Sequence, residues 1–403
     1  MRVTFRVVAG PHTGAVYVFE EHASFVVGRH RKTQFRLSLK DQYLSRFHFF
    51  VEVVPPLCAL VDLGSTNKTY VNGEAVRRAE LADGDTIKAG VTTLTVKIEG
   101  ADANEEPPPP LDAASLPLFA NYQIERVLGS GATGTVYLAA DKRDGSRVAL
   151  KAIDPSTAGA LKSPERFERE AAALKSLDHP NIIALYEVGR AERWHYLAME
   201  YVPGIDAMRL CQERGQRGVP TREAVGLVAQ VLDGLSHAHA AGIVHRDVKP
   251  GNVLIARTLG GRPTAKLGDF GLARLYQNPS VSRLTKTNTL LGSIGFVAPE
   301  QIIDPREATP AADVYGAGAT LYYLLTNQSP YDLPEYVDDC LSKILHEAPR
   351  PIRSLRPETP AALAEIVDRA LAYQPEDRFL DAREMREELA PWAERVSERA
   401  RPL

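Results

Sequence analysis

The sequence has few of the features that define several common classes of protein. It contains 3 cysteines in 403 residues, at positions 58, 211 and 340, with no CxxC pair among them. This spacing favours buried thiols in a reducing compartment, and a chain of this length and composition can form cores of normal size without disulfides. The longest mostly apolar run, VYGAGATLYYLL at 314–325, is too short for the roughly 20 residues of a membrane-spanning helix.

An excess of charge of one sign is also absent. The 48 Lys and Arg residues nearly balance the 51 Asp and Glu residues, for a net charge of −3, which argues against nucleic-acid binding by bulk charge. The first residues, MRVTFRVVAGPHTG, break their apolar run too early for a secretory signal peptide. We therefore expect a cytoplasmic protein that has no membrane span and binds no nucleic acid.

The first hundred residues are dominated by β-strand signals. Runs of β-branched and aromatic residues, such as SFVVG (24–28) and FHFFVEVV (47–54), are separated by Gly, Pro, Asn and Asp. Asn72-Gly73 is a strong signal for a hairpin turn. No stretch with helical period interrupts them. The pattern predicts an all-β sandwich over residues 1–99.

A proline-rich segment follows, and the sequence then changes character. GADANEEPPPPLDAASLP, at 100–117, cannot form a core and favours extended polyproline geometry, so we assign residues 100–120 to a linker. Beyond it, strand-like runs precede segments with helical period. These predict an α+β, bilobal domain over residues 121–390, with a strand-rich lobe (121–202) and a helix-rich lobe (203–390).

The second domain contains five short motifs in a fixed order. A glycine-rich turn alone is weak evidence, but here four further motifs accompany it. They are GSGATG (129–134), VALK (148–151), HRDVKPGN (245–252), DFG (269–271) and APE (298–300). Together they match the signature set of protein kinases. The region from residue 122 to about 390 resembles a protein kinase of the eukaryotic type, and Lys249 resembles the serine/threonine-specific members.

This resemblance implies transfer of the γ-phosphate of ATP to protein Ser and Thr hydroxyls, with Mg²⁺. Asp247 would accept the proton of the substrate hydroxyl, and Lys249 would contact the γ-phosphate. Lys151 would bind the α- and β-phosphates and pair with Glu170.

The resemblance also implies metal and nucleotide contacts. Asn252 and Asp269 would hold magnesium, a hard cation that prefers oxygen ligands. The implied nucleotide-binding residues lie in the glycine-rich segment, at the VALK lysine and in the segment that joins the lobes: Leu128, Gly129, Gly131, Gly134, Val136, Lys151, Met199, Glu200 and Val202.

Three further motifs lie in the β region: GRH (28–30), SRFH (45–48) and DLGSTNKTYVNG (62–73). Together they resemble a forkhead-associated (FHA) domain, which binds phosphothreonine peptides. A phosphate of nearly double charge favours a guanidinium fork and several neutral donors. The implied phosphopeptide-binding residues are Arg29, Ser45, Arg46, Thr66 and Asn67.

Other features of the β region bear on that assignment. His48 is expected to be a buried brace of the loops rather than a ligand. Lys68 stands where the family usually has glycine, which could distort the turn or add charge beside the peptide. A purely structural β domain without a ligand is the alternative.

Threonines recur at every second position between DFG and APE, where kinases have their activation loop. Thr285, Thr287 and Thr289 are therefore predicted autophosphorylation sites, modified in trans during transient self-association, with Thr287 and Thr289 the leading candidates. Arg246 would pair with the phosphorylated loop, and Ser293 would contact Asp247 and Lys249 through its hydroxyl. An unmodified solvated loop is the alternative.

Two other functions fit parts of this pattern. The FHA region would read phosphothreonine on its own kinase domain or on a partner, so the chain could serve as an adaptor with the kinase fold as a scaffold. The intact residues Lys151, Asp247, Asn252 and Asp269 favour an active enzyme instead. A small-molecule phosphotransferase is disfavoured by APE and the long activation loop, which in the family serve peptide docking. The kinase pattern also accounts for His239 and His245, so we expect no histidine metal site.

Overall fold

The computed structural model describes residues 2–19, 23–31, 33, 35–36, 41–54, 57–99, 119–131, 134–153, 171–191, 194–215, 218–256, 263–270, 294–304, 308–334 and 336–394. The contacts divide the chain into two compact units. The first unit comprises residues 1–107, 277–308 and 331–348, and the second comprises 108–276, 309–330 and 349–403. The N-terminal β region thus shares its unit with two segments of the predicted second domain.

Two β-sheets form the N-terminal part of the first unit. The six-stranded sheet has the order β2-β1-β11-β10-β7-β8, and the five-stranded sheet has the order β4-β3-β5-β6-β9. Their strands are β1 (Arg2–Ala9), β2 (Val16–Phe19), β3 (Ala23–Gly28), β4 (Phe35–Arg36), β5 (Phe49–Val54), β6 (Leu57–Asp62), β7 (Thr69–Val71), β8 (Glu74–Val76), β9 (Arg78–Glu80), β10 (Thr86–Ala89) and β11 (Thr92–Glu99). Neighbouring strands pair antiparallel, apart from β3 and β4.

Period-two alternation explains how these sheets pack. Phe25 and Val27 on β3, and Phe49 and Val51 on β5, are buried in one cluster with Phe5 of the other sheet. The rings of Phe5 and Phe25 meet edge to face, with centroids 5.8 Å apart. Side chains two apart lie on the same face of a strand, so one face of each sheet forms this core. The predicted β-sandwich is confirmed.

The second unit begins with a five-stranded antiparallel sheet in the order β12-β13-β14-β16-β15. A small three-stranded sheet, β17-β18-β19, follows it. The bounds are β12 (Tyr122–Gly131), β13 (Gly134–Asp141), β14 (Arg147–Ile153), β15 (Leu185–Ala191), β16 (Trp194–Glu200), β17 (Gly204–Asp206), β18 (Val253–Ala256) and β19 (Thr264–Leu267). The predicted strand-rich region is therefore present.

Helices dominate the chain after β17. In chain order, across both units, they are α1 (Ala207–Arg214), α2 (Thr221–Ala240), α3 (Pro299–Ile303), α4 (Pro310–Thr326), α5 (Val337–His346), α6 (Ile352–Leu355), α7 (Ala361–Ala370) and α8 (Ala382–Glu394). Helix α2 buries an apolar stripe that includes Val225, Val228, Leu232 and Leu235, which is the spacing of an amphipathic helix. The predicted order of a strand-rich and then a helix-rich region is confirmed.

Helix α4 contains the longest apolar run of the sequence. Nearly all of its side chains are buried, from Ala312 to Thr326, and a helix that is apolar all round belongs in a core. Asn327 ends it in the left-handed conformation, at φ 53°. Within the described residues, no helix is both long and apolar enough to cross a membrane.

Candidate active site

A cleft of about 480 Å³ opens in the second unit, beside the glycine-rich end of β12. Its walls include eight of the residues that the sequence assigned to nucleotide or metal: Leu128, Gly129, Val136, Met199, Glu200, Val202, Asn252 and Asp269. Gly131 pairs with Gly134 across the turn between β12 and β13. Gly134 must be glycine, because it has φ +125° and a Cβ there would lie 2.1 Å from the Ala152 carbonyl oxygen.

Lys151 forms an ion pair with Asp269, one of the residues that line the cleft. Its Nζ lies 2.9 Å from both carboxylate oxygens of Asp269, and its side chain is only 3% exposed. Burial raises the pKa of Asp269, but the Lys151 ammonium outweighs it, so the pKa lies below its ordinary value. Asp269 is held in the left-handed region at φ 59°, the kind of backbone strain found at functional sites. The pair places an ionised carboxylate in the cleft wall.

Asp247 is surrounded by hydrogen-bond donors from its own loop. Lys249 Nζ donates to its two carboxylate oxygens at 3.0 and 2.8 Å. Asn252 Nδ2 donates to the Asp247 carbonyl oxygen at 2.7 Å and to its Oδ2 at 3.1 Å. A 3-10 turn over Pro250–Asn252 brings Asn252 back to Asp247. The arrangement can hold a proton acceptor beside a cation and an amide.

A buried carboxylate on α4 holds the backbone of the loop that carries Asp247. Asp313 is fully buried. It accepts hydrogen bonds from the backbone N–H groups of His245, at 2.8 Å, and Arg246, at 2.7 Å. Its Oδ2 also lies 2.8 Å from Nε2 of His239. Arg246 has φ 70°, and the Asp313 contacts hold the backbone in this conformation. Asp313 was not predicted from the sequence, although an acidic residue directly before the longest apolar run is a signal that points to it.

His245 connects the Asp247 loop to the residue before Asp269. Its Nδ1 accepts from the Asp247 N–H at 3.2 Å, and its Nε2 lies 2.8 Å from the Gly268 carbonyl oxygen. The Nε2–H tautomer satisfies both contacts. His239 and His245 thus brace the loop structurally.

Some predicted site residues lie outside the described part of the chain. They are Glu170, Thr285, Thr287, Thr289 and Ser293. The prediction that Glu170 pairs with Lys151 remains a prediction, as do the phosphorylation sites.

A second candidate site lies on three loops of the β-sandwich. Arg29 N–H donates to the Ser45 carbonyl oxygen at 3.1 Å, and Ser45 Oγ accepts from the Thr66 N–H at 3.1 Å. Asn67 Nδ2 donates to the Tyr43 carbonyl oxygen at 2.7 Å. These bonds involve four of the five predicted phosphopeptide-binding residues, and the fifth, Arg46, follows Ser45 in the chain. Of those five, Ser45 is partly buried and the other four are exposed.

Close backbone approach makes this assembly possible. A Cβ at Gly28 would lie 2.1 Å from the Arg46 carbonyl oxygen, so only glycine lets the Arg29 loop reach the 45–48 loop. Lys68 adopts φ 60°, which explains why glycine is usual there. Lys68 makes the turn and keeps an exposed cation beside Thr66 and Asn67.

Two side chains, His48 and Asp62, brace the same loops. His48 is fully buried, and its Nδ1 accepts from the Ser45 N–H at 3.0 Å while Nε2 lies 3.2 Å from the Lys68 carbonyl oxygen. Asp62 accepts from the hydroxyls of Ser65 and Thr69, each at 2.6 Å. The expected bracing role of His48 agrees with this geometry, whereas Asp62 was not singled out from the sequence.

Acidification is expected to weaken the β-sandwich through His48. Burial lowers the pKa of this imidazole. Protonation of Nδ1 would also break the hydrogen bond that this atom accepts from the Ser45 N–H. The contribution of neutral His48 to the stability of the folded sandwich is complete above the unfolded-state pKa of about 6.5. It is lost as the pH falls below that value, because the unfolded chain then takes up a proton that the folded chain does not. We expect the sandwich to lose roughly 1 kcal/mol between pH 7.5 and 5.5.

The measurement is urea unfolding of the full chain at the two pH values, with hydrogen exchange of the sandwich strands as the readout. His48→Gln, which does not titrate, should lose the pH dependence. An equal pH dependence in parent and variant would show that another group is responsible.

Comparison with known proteins places both regions in families. The model of the protein kinase domain matches residues 122–388. The chain belongs to the protein kinase family. The model of the FHA domain matches residues 25–90, so the kinase domain is preceded by an FHA domain. Protein kinase domains use ATP and a divalent metal.

Bacterial serine/threonine-protein kinases are among the similar proteins. PknF of Mycobacterium tuberculosis is 37% identical over 65% of this chain and 54% of its own length. This chain spans between 39% and 54% of the length of PknF, PrkC of Bacillus subtilis and a probable PknB of Lactococcus lactis.

Solved structures show the same fold. The kinase domain of Mycobacterium tuberculosis PknI has a TM-score of 0.54 and 30% identity, over 68% of this chain and 97% of that one. A structure of Rad53 residues 1–466, in complex with AMP-PNP, has a TM-score of 0.54 over 97% of this chain and all of that one. Its identity of 23% shows a likeness of fold only.

Proposed function

We propose that this chain is a serine/threonine protein kinase that transfers the γ-phosphate of ATP to protein hydroxyls. The observation that carries the proposal is the constellation of Asp247, Lys249 and Asn252, with the Lys151–Asp269 pair in the same unit. Phosphoryl transfer depends mainly on positioning and charge stabilisation, and these contacts supply both. An adaptor that used the kinase fold only as a scaffold would have no need of this charged geometry.

Each residue of the constellation has a role that its contacts support. The Asp247 carboxylate accepts the proton of the substrate hydroxyl. Lys249 is 2.8 Å from that carboxylate and contributes a cation at the γ-phosphate. Lys151 binds the α- and β-phosphates. The pairing of Lys151 with Glu170 belongs to the same proposal.

The residues present fit a divalent cation, which we propose is Mg²⁺. The Asp269 carboxylate and the Asn252 amide oxygen are hard oxygen donors of the kind that Mg²⁺ prefers. Asn252 uses its amide N–H groups on Asp247, so its oxygen is left as the ligand atom. The ion would neutralise phosphate charge. The low pKa of Asp269 keeps that ligand ionised.

The cleft walls suit an adenine nucleotide. Leu128, Val136 and Met199 supply apolar surface, and Glu200 and Val202 line the same cleft. The glycine-rich turn at Gly129, Gly131 and Gly134 would let the backbone approach the phosphates.

For the FHA domain we propose recognition of phosphothreonine, on this kinase itself or on a partner. Arg29 and Arg46 supply charge, while Ser45, Thr66 and Asn67 supply neutral hydrogen-bonding groups around them. The activation-loop threonines Thr285, Thr287 and Thr289 are the proposed substrates of autophosphorylation in trans. Arg246 and Ser293 are proposed to order that loop.

A map of phosphorylation sites tests the activity. The purified full chain is incubated with Mg-ATP and analysed by mass spectrometry. Phosphate on Thr285, Thr287 or Thr289 is expected in the parent and not in a catalytically inactive variant. If the chain is first treated with an active relative as an upstream kinase, and that kinase is then removed, failure to phosphorylate an added protein acceptor would favour the adaptor.

Loss of the guanidinium at Arg29 is expected to abolish most phosphothreonine binding. Arg29→Ala removes charge-assisted bonds to the phosphate, and two such bonds correspond to about 30-fold or more in affinity. The measurement is capture of a degenerate phosphothreonine peptide library by the full chain, followed by titration of the peptides that bind. Arg6, which is also exposed and lies on β1, provides the control, and Arg6→Ala should bind like the parent. Equal binding by Arg29→Ala would remove Arg29 from the site.

A further inference from the structure

The five-stranded sheet of the FHA domain buries apolar side chains on both of its faces. Its inner face packs on the six-stranded sheet through alternate residues of β3, β5 and β6. On the outer face, Val26, Phe50 and Val61 are no more than 1% exposed. A sandwich sheet ordinarily has a polar outer face, so this face is built for a second interface.

Two segments of the kinase domain cover that outer face within the same compact unit. The first segment is residues 294–303, which include α3. The second is residues 331–334 and 336–345, where Cys340, Leu341, Ile344 and Leu345 form one apolar side of α5. The cluster also contains Ile294, Val297, Ile302, Ile303 and Tyr331 from these segments. The occupant of the outer face is thus a part of this chain.

Polar and ring contacts fix the register of this interface. Ser342 Oγ donates to the Leu63 carbonyl oxygen at 2.9 Å. A Cβ added at Gly64 would lie 2.9 Å from Ser342 Oγ. The rings of Phe47 and His346 meet at a steep angle, with centroids 5.8 Å apart. These contacts lie at the ends of the strands, in the loops 45–48 and 63–68, here called the recognition loops, which carry four of the five residues proposed to contact the phosphate.

Both recognition loops are anchored in the interface. Phe47 is 2% exposed and lies in the apolar cluster, between the exposed Arg46 and the brace His48. Leu63 is fully buried in the same cluster and precedes the turn that bears Thr66 and Asn67. Moving either anchor would therefore move residues proposed to contact the phosphate.

The outer face is formed by Val26, Phe47, Phe50, Val61 and Leu63, here called the docking face. We propose that the docking face binds the kinase segments 294–303 and 336–345, and that this docking holds the recognition loops in the form that binds phosphothreonine. By linkage, the ligand then strengthens docking by the same factor as docking strengthens ligand binding. The first kinase segment of the interface begins at residue 294, five residues after Thr289. Docking would therefore also fix the position at which the activation loop ends. The second half of the proposal rests on the proposed function of the FHA domain.

The first arm of the test measures docking without any ligand. The full-length variant Val26→Thr/Phe50→Thr/Val61→Thr makes the docking face polar, and Ser342→Arg disrupts the interface from the kinase side. Hydrogen exchange in residues 294–303 and 337–346 is expected to accelerate by at least about fivefold in both. The matched control is Val16→Thr/Val18→Thr, at valines that are 42% and 40% exposed on β2. Exchange rates unchanged from the parent in Ser342→Arg and in the folded triple variant would overturn the docking.

The second arm measures the coupling. A phosphothreonine peptide selected on the parent chain is expected to bind both interface variants at least about fivefold more weakly, and the control variant equally well. The same peptide should slow exchange in α5 of the parent and leave Arg29→Ala unaffected. Equal affinity in parent and variants would overturn the coupling while the exchange data still supported docking. A parent chain that binds no phosphothreonine peptide would overturn both the coupling and the proposed FHA function, and the first arm would still decide the docking.

Discussion

Replacement of Asp247 by asparagine is expected to lower the rate of phosphoryl transfer by about 10²- to 10⁴-fold, the usual contribution of a positioned general base. An amide has nearly the shape of a carboxylate, and it can keep a hydrogen bond to Lys249, whose Nζ lies 2.8 Å from Asp247 Oδ2. It cannot accept the proton of a substrate hydroxyl. The measurement is the initial rate of phosphate transfer to a generic protein acceptor at saturating Mg-ATP.

The control for that experiment is Asp144→Asn. Asp144 is an exposed aspartate in the turn between β13 and β14, and this change should leave the rate as it is. Nucleotide affinity and the melting temperature of Asp247→Asn should match the parent, which separates loss of chemistry from loss of fold. A rate within a few-fold of the parent would show that another group accepts the proton.

Removal of the Asp313 carboxylate is expected to destabilise the second unit by about 3–5 kcal/mol, in the range measured when one partner of a buried polar network is deleted. Asp313 is fully buried. Its carboxylate accepts hydrogen bonds from two backbone N–H groups of the Asp247 loop and also contacts His239. Asp313→Ala leaves those donors buried and unsatisfied. The midpoint of urea unfolding, followed by far-ultraviolet circular dichroism, measures the loss.

The matched control for Asp313 is another helical aspartate. Asp233 on α2 pairs with Arg386 at 2.9 Å, and both side chains are about two-fifths exposed. Asp233→Ala should therefore change stability by no more than about 1 kcal/mol. Similar losses in the two variants would contradict the role assigned to Asp313.

The motifs indicated many of the residues that line the cleft, because each motif places the residue types that one chemical task needs within a short stretch of chain. Asp247, Lys249 and Asn252 lie within six residues of one another, so their hydrogen bonding follows from the local loop. The same holds for Ser45 and His48, or for Thr66 and Asn67, once the turns are known. Short spacing makes such sites accessible to sequence reasoning.

Asp313 and the docking face depended on long-range contacts. Asp313 lies 66 residues after Asp247, and nothing local indicates which loop it supports. The apolar run in β5 could be read as a strand, but the second face bearing Phe50 needed the structure to show what covers it. The proline-rich segment predicted a domain boundary over residues 100–120, and the apolar contacts that place two kinase segments in the same compact unit as the FHA domain had no local signal in the sequence.

The most direct test of the central claim is transfer of label from γ-labelled ATP to a protein acceptor by the full chain, with Mg²⁺, followed by identification of the labelled amino acid. The proposed function predicts label on phosphoserine or phosphothreonine in the parent, and none above background with Asp247→Asn. Label on phosphotyrosine alone, or no transfer by a folded chain that binds ATP and has been treated with an active upstream kinase, would contradict it.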